Sequence, residues 1–200
     1  MKNGVQSQEV REALLDATDR LLARSGYKKM TIDELANEVG IGKGSVYLHF
    51  PSKEEIALSH VDRIVERLKK ELTTIAGENI SADKKIRNML LMRVLFRFDS
   101  VQHYTQSLND LLSALRPNLL LRRERYFHEE SKLFASVIDE GISAGIFESV
   151  DSGKAAETLL LATNSLLPFS LSTDELGARE DIEARTLHIA NLLIRGLSAK

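Results

Sequence analysis

The sequence predicts an all-α protein, and three observations point there. Only three prolines and 11 glycines interrupt 200 residues, so long helices are permitted almost everywhere. Apolar residues recur at helical spacing in one segment after another, whereas Val, Ile and Thr form no alternating runs. Aromatic residues are sparse at 6%, which also disfavours a sheet. The expected architecture is an N-terminal three-helix bundle followed by a larger helical C-terminal domain. With 43% hydrophobic and 28% charged residues, the composition is that of an ordinary globular chain long enough for one good core or two small ones.

Residues 7–25 carry Val10, Ala13, Leu14, Ala17, Leu21 and Leu22 on one stripe, the pattern of an amphipathic surface helix. Gly26 is expected to end it in the left-handed conformation. Thr31 and Glu34 then form a capping box, in which hydroxyl and carboxylate satisfy orphan amide donors reciprocally. A short helix follows, turning Leu35, Ala36 and Val39 inward until Gly40 stops it. Ile41 and Gly42 lead into a second short helix over about 43–49. Pro51 and the acids Glu54 and Glu55 signal a further start, and that helix runs to about Leu72 or Ile75. Residues 77–81 are the candidate hinge. Beyond them, helices are expected around 83–98, 101–115, 118–144, 153–167 and 179–197. The domain division is thus 1–55, with a linking helix over about 53–75, and 76–200.

The two short helices meet the steric demands of a helix-turn-helix. A steep crossing needs a small residue on the first helix, here Ala36. A sharp turn needs tolerance of positive φ four residues later, at Gly40. An apolar plug must fill the angle from the second helix, and Val46 is placed to do so, with Leu35, Val39 and Ile41 completing the small core. The preceding amphipathic helix closes a three-helix bundle. Such a unit docks its second helix in the major groove of double-stranded DNA.

The run Thr31-Ile-Asp-Glu-Leu-Ala-Asn-Glu-Val-Gly-Ile-Gly-Lys-Gly-Ser-Val-Tyr-Leu-His-Phe-Pro-Ser-Lys-Glu-Glu55 resembles the signature of the TetR family of transcriptional regulators. The likeness is specific over roughly residues 7–60; beyond that only length and helical pattern agree. It implies a homodimer of chains with nine or so helices, a pocket in the C-terminal domain, and an inducer that releases the protein from its operator.

The residues themselves suggest how such a unit would touch DNA. Lys43 lies in the first turn of the second helix, where backbone N–H groups and a lysine both meet DNA. Gly44 lets the backbone approach closely. Ser45 faces the same groove and is able to donate or accept at a base edge. Tyr47 and His49 present polar tips suited to phosphate oxygens, and Lys53 opens the next helix, another phosphate position. The resemblance implies that Thr31 donates to phosphate and that Tyr47 and Lys53 match the family's phosphate contacts. Thr31 would, however, be needed as a cap in any protein. Val46 and Phe50 are core. Leu48 stands where an apolar contact with a thymine methyl is available.

In the C-terminal part, residues 153–167 are apolar on nearly all sides, and 179–197 repeats a stripe at Ile182, Thr186, Ile189, Ala190, Leu193 and Leu197. Two such terminal helices point to a homodimer built from a four-helix interface, and the resemblance points to the same pair. Residues 88–98 are again apolar all round and belong at the centre of the domain. Met89, Met92 and Phe96 there, with Tyr126 and Asn164, are candidate lining for an apolar or amphipathic small-molecule ligand, though each also suits a plain core. Arg93 and Arg97 are the odd members. They pair with an acid such as Asp99 or Asp110, reach solvent along their stems, or bind an anionic ligand group.

Other chemistry is excluded or unsupported. The absence of cysteine removes disulfides, cysteine-ligated zinc and thiol nucleophiles. His49, His60, His103, His128 and His188 show no metal-ligand spacing, and no cofactor, metal or catalytic residue is implied. The run Gly42-Lys43-Gly44-Ser45 is not a phosphate loop, because Asn37 and Gly44 stand where that motif needs Gly and Ser or Thr. The N-terminus does not resemble a signal peptide, and residues 88–98 are too short to span a bilayer and hold two arginines. A cytoplasmic protein without a membrane partner is expected.

The formal net charge is −2. Yet from Arg20 to Lys53 six basic residues face three acids, so positive charge gathers at one end. The expected protein is a non-enzymatic, dimeric repressor that reads a pseudo-palindromic operator and is released by a ligand. The alternative is a constitutive DNA-binding dimer that recruits a partner without an inducer.

Overall fold

The computed structural model describes residues 2–104, 108–168 and 177–199. Among them the chain forms eight α-helices: α1 (Lys2–Lys29), α2 (Ile32–Val39), α3 (Lys43–His49), α4 (Lys53–Ala76), α5 (Ala82–Val101), α6 (Leu108–Ser143), α7 (Ser152–Thr163) and α8 (Arg179–Leu197). Short 3₁₀ turns occupy Gln102–Tyr104 and Asn164–Leu166. The all-α reading holds. No helix among the described residues is long and apolar enough to cross a membrane. The chain forms two compact units, one of Met1–Ile64 with His103–Leu120 and one of Val65–Gln102 with Leu121–Lys200.

In the first unit α1 packs on α2 and α3. The stripe Leu14, Ala17, Leu21 and Leu22 is buried as expected, and Leu15 and Thr18 widen it. Thr18 tolerates burial because its hydroxyl donates to the Leu14 carbonyl at 2.8 Å, a satisfied polar group. Ion pairs finish the packing at the rim. Arg63 of α4 reaches Asp16 at 2.7 Å and Glu12 at 3.3 Å on α1, and Arg20 and Arg24 of α1 both hold Glu38 of α2 at 3.1 Å.

Gly26 departs from the expectation. Its φ of 76° is positive, but ψ is 167°, so it is extended rather than left-handed helical, and a last helical turn resumes beyond it. That region is open essentially to glycine alone. It redirects the chain so that Met30 turns into the core at 1% exposure.

A second correction concerns α6. A helix over 101–115 and another over 118–144 were expected to flank Pro117, whereas α6 runs unbroken through Pro117 from Leu108 to Ser143. Proline removes one helical donor, at a cost of about 3 kcal/mol. Packing outweighs that here: Leu111 and Leu115 are buried on one side of the proline, and Asn118 on the other donates to Glu54 at 2.7 Å.

The second unit is organised around α5, which packs on α7 and α8. Ile86, Met89 and Leu90 of α5 share a core with Leu68 and Leu72 of α4, Phe134 and Ile138 of α6, Leu159 and Leu160 of α7, and Ala190 and Ile194 of α8. The central position expected for 88–98 is therefore observed. Lys85, 5% exposed, is tolerated because both oxygens of Glu140 lie 2.8 Å from its ammonium. After α6 the chain closes on the end of α8, with Glu148 N–H donating to Leu197 and Ala199 N–H to Ile146. Gly141 faces the Phe147 ring so closely that a methyl there would lie 2.2 Å from it.

Candidate nucleic-acid interface

The turn between α2 and α3 is set by its caps. Thr31 Oγ1 accepts from the Glu34 amide at 3.2 Å, and the Thr31 amide donates to Glu34 Oε2 at 2.9 Å, the expected capping box. At the other end Gly40 takes φ 75°, ψ 33°. Its N–H reaches the Asn37 carbonyl at 3.3 Å, and the Ile41 N–H reaches Ala36 at 3.0 Å, closing a Schellman-type stop. Ala36 is 3% exposed at the crossing, and Val46 and Phe50 are 0% and 1% exposed, so the plug and its partner sit in the core as expected.

With Val46 pinned inward, the outward face of α3 follows from helical geometry. Gly44, Tyr47 and Leu48 are two positions before, one after and two after the plug, on the turns that point away from it. All three are exposed, as is Lys43; Ser45 and His49 are half-buried at the edges. Tyr47 is 48% and Leu48 84% exposed, a large apolar side chain held entirely out of the core. Leu48, where the sequence leaves an apolar contact with a thymine methyl open, stands on this face. Its distance in sequence from Val46 is the signal that places it on this face.

Two lysines are engaged. Lys43 Nζ lies 2.8 Å from Asp33 Oδ2, and that hydrogen bond and charge raise the lysine's pKa, leaving it a firm cation on an exposed surface. Lys53 behaves differently. Its ammonium donates to the carbonyls of Tyr27 at 3.0 Å and Met30 at 3.1 Å and lies over the Tyr27 ring at 4.6 Å. It therefore fastens the end of α1 to the start of α4, a structural task its sequence position did not show. Thr31 is exposed, with its hydroxyl also donating to Glu34 at 3.0 Å.

Residues 14–59, spanning most of α1 through the first turns of α4, match the family model described as bacterial regulatory proteins, tetR family. That stretch is a TetR-family helix-turn-helix unit. The chain is 26% identical over 200 residues to an uncharacterized HTH-type transcriptional regulator, YerO, of Bacillus subtilis; that match covers 95% of this chain and 66% of YerO, slightly under two thirds. The fatty acid metabolism regulator protein of the same organism is 24% identical, with 94% of this chain and 95% of that protein covered. The crystal structure of a transcriptional regulator from Cytophaga hutchinsonii shares the fold, with a TM-score of 0.80 at 23% identity over 94% of this chain and 98% of that one. Residues 14–59 accordingly form the DNA-binding helix-turn-helix of a transcriptional regulator.

Within the second unit, the residues singled out as ligand lining have distinct surroundings. Met89 is wholly buried in the core, Tyr126 is 8% exposed beneath the guanidinium of Arg125, and Met92 and Phe96 are half-buried against the same core. Arg93 pairs with an acid, one of the expected alternatives, but the acid is neither Asp99 nor Asp110, and the side chain does not reach solvent. Those acids are taken by Arg179 and Lys28. Instead Arg93 Nε donates to Glu130 at 2.8 Å, Nη1 to Thr163 at 2.9 Å and Nη2 to Asn164 at 2.8 Å. Arg97 holds the other oxygen of Glu130. The sequence carried no sign of this, because Glu130 lies 37 and 33 residues from its partners.

Burial lowers the pKa of Arg93 to about 10, with Glu130 opposing the shift, so it stays charged at neutral pH. Burial pushes Glu130 up, but the charges of Arg97 and Arg93 outweigh this and hold it below the ordinary carboxylate range.

Proposed function

We propose that this regulator is a dimeric, cytoplasmic repressor that reads a pseudo-palindromic operator through α3 and leaves it on binding an apolar or amphipathic small molecule. The reading rests chiefly on the outward face of α3, where Lys43, Gly44, Tyr47 and Leu48 project from a helix anchored by Val46. Ser45 and Leu48 read base edges, Leu48 against a thymine methyl, while Lys43, Tyr47, His49 and Thr31 meet phosphate. Lys53 contributes to that contact in part by fixing the frame. Residues 1–55 form the DNA-binding module and 76–200 the ligand and dimerisation module, with the helix over 53–75 as the link. Met92, Phe96, Tyr126 and Asn164, with Met89 behind them, are the ligand-facing group; the relative named as a regulator of fatty acid metabolism supports a ligand with apolar character. Exposed Leu161 on α7 and Leu192 on α8 support dimerisation through the last two helices.

Selection of bound sequences from a random DNA pool, followed by titration of the winning site, tests the DNA reading. Tyr47→Ala should weaken binding to every sequence about equally, by roughly tenfold, whereas Ser45→Ala and Leu48→Ala should change which sequence is preferred. Equal losses on all sequences from all three substitutions overturn the division of roles. A saturating ligand that leaves operator affinity unchanged overturns ligand release and leaves the constitutive DNA-binding dimer.

A further inference from the structure

The cluster at the centre of the second unit is unbalanced in charge. Among the described residues, Arg93 and Arg97 have one carboxylate between them, Glu130, and the other groups on Arg93 are the neutral acceptors Thr163, Asn164 and the Leu160 carbonyl. One positive charge is therefore in surplus inside the unit. Arg93, with 3% of its side chain exposed, has acceptors on Nε and both Nη atoms and is a fixed part of the scaffold. The surplus falls on Arg97, which shares Glu130, and whose second contact is the Arg93 carbonyl at 3.3 Å, one helical turn back. Its side chain keeps 14% of its surface exposed against 3% and 4% for Arg93 and Glu130, so the cluster is reached through Arg97. Arg123, two turns before Glu130 on α6, is near enough to add repulsion to Arg93.

A buried charge without a counter-ion is costly, and a guanidinium keeps its proton and cannot escape by neutralising. An anion arriving at Arg97 removes that cost. Glu130 shows that a carboxylate suits this place, since its two oxygens are divided between the two guanidiniums, one charge-assisted contact to each. Half-buried Met92 and Phe96 are each next to one of the two arginines along α5, and Phe127 lies on α6 three residues before Glu130; all three pack against the same core and offer adaptable apolar surface.

We propose that Arg97 is the head-group site for an amphipathic carboxylate, whose apolar tail lies along Met92, Phe96 and Phe127. This deepens the ligand-release reading and rests on it for its biological meaning, but the site itself is testable without DNA. Straight-chain fatty acids of eight to sixteen carbons are titrated into the full chain by calorimetry, beside the alcohols of equal length. The expected result is that at least one acid binds about tenfold or more tightly than its alcohol and raises the melting temperature. Arg97→Gln, checked for native helix content, should bring acid and alcohol within about twofold. Arg97→Lys should retain part of the preference, and Arg123→Gln, an exposed position that spares the core, should lower it in part. Equal binding of acids and alcohols, or no binding of any acid, overturns the proposal. Acid binding with the stated preference but unchanged operator affinity upholds the carboxylate site and removes ligand release instead.

Discussion

Gly40 and Gly44 stand four residues apart, and the reasons for a glycine at each are different. Gly40 has open space where a side chain would go, but its φ of +75° is the obstacle, so Gly40→Ala should cost about 1–2 kcal/mol of stability. Gly44 has ordinary helical backbone, and nothing lies within 4 Å of where an added methyl would stand, so the free protein places no demand on it. Gly44→Ala should leave stability unchanged or raise it by up to about 1 kcal/mol. If α3 approaches DNA through this residue, the same methyl should weaken operator binding by roughly tenfold or more, because it holds the backbone away from the groove. Thermal melts and a binding titration on the two variants separate the cases. A Gly44→Ala protein with native affinity would place the close approach elsewhere on α3.

At the scale of elements, α5 and α6 are joined by the Arg93–Glu130–Arg97 cluster, and its energetics give a signed prediction. Glu130 has a folded pKa below its ordinary 4.5, held there by the two guanidiniums against burial. Its contribution to stability is therefore complete above about pH 4.5 and is lost as pH falls through the lower folded value. Glu130→Gln leaves two arginines without a buried counter-charge, for an expected loss of about 3–5 kcal/mol at pH 7. Urea titrations at descending pH should show the gap between wild type and variant narrowing below pH 4.5. A gap that stays constant into acid would mean that Glu130 acts by shape and not by charge. Legibility divides along the same line. The capping box at Thr31, the stop at Gly40, the plug at Val46 and the central position of 88–98 are local or periodic signals, and each was readable from the chain. The continuity of α6 through Pro117, the task of Lys53 and the pairing of Arg93 depend on partners tens of residues away. No spacing rule carries that information.

For the molecule as a whole, the question is what the last two helices leave uncovered. Within one chain α8 buries Ile182, Thr186, Ala190 and Ile194, and α7 buries Ala156, Leu159, Leu160 and Thr163, so much of their apolar surface is already satisfied. What remains is Leu161, 59% exposed, and Leu192, 55% exposed. Exposed leucines are individually ordinary, and their significance lies in falling on the same two helices that the sequence assigns to a four-helix interface. A two-fold contact there would present two copies of α3 to half-sites about 34 Å apart, and operator affinity would then be an avidity. Leu161→Glu and Leu192→Glu put carboxylates at positions already open to water in the single chain, so each variant should fold with native helix content. In a dimer built on these helices the same charges would be buried without partners. The double variant should therefore sediment as a monomer and lose roughly a hundredfold or more in affinity for a two-half-site operator, while its affinity for an isolated half-site changes little. Retention of the dimer together with full operator affinity would move the interface to another face of the second unit.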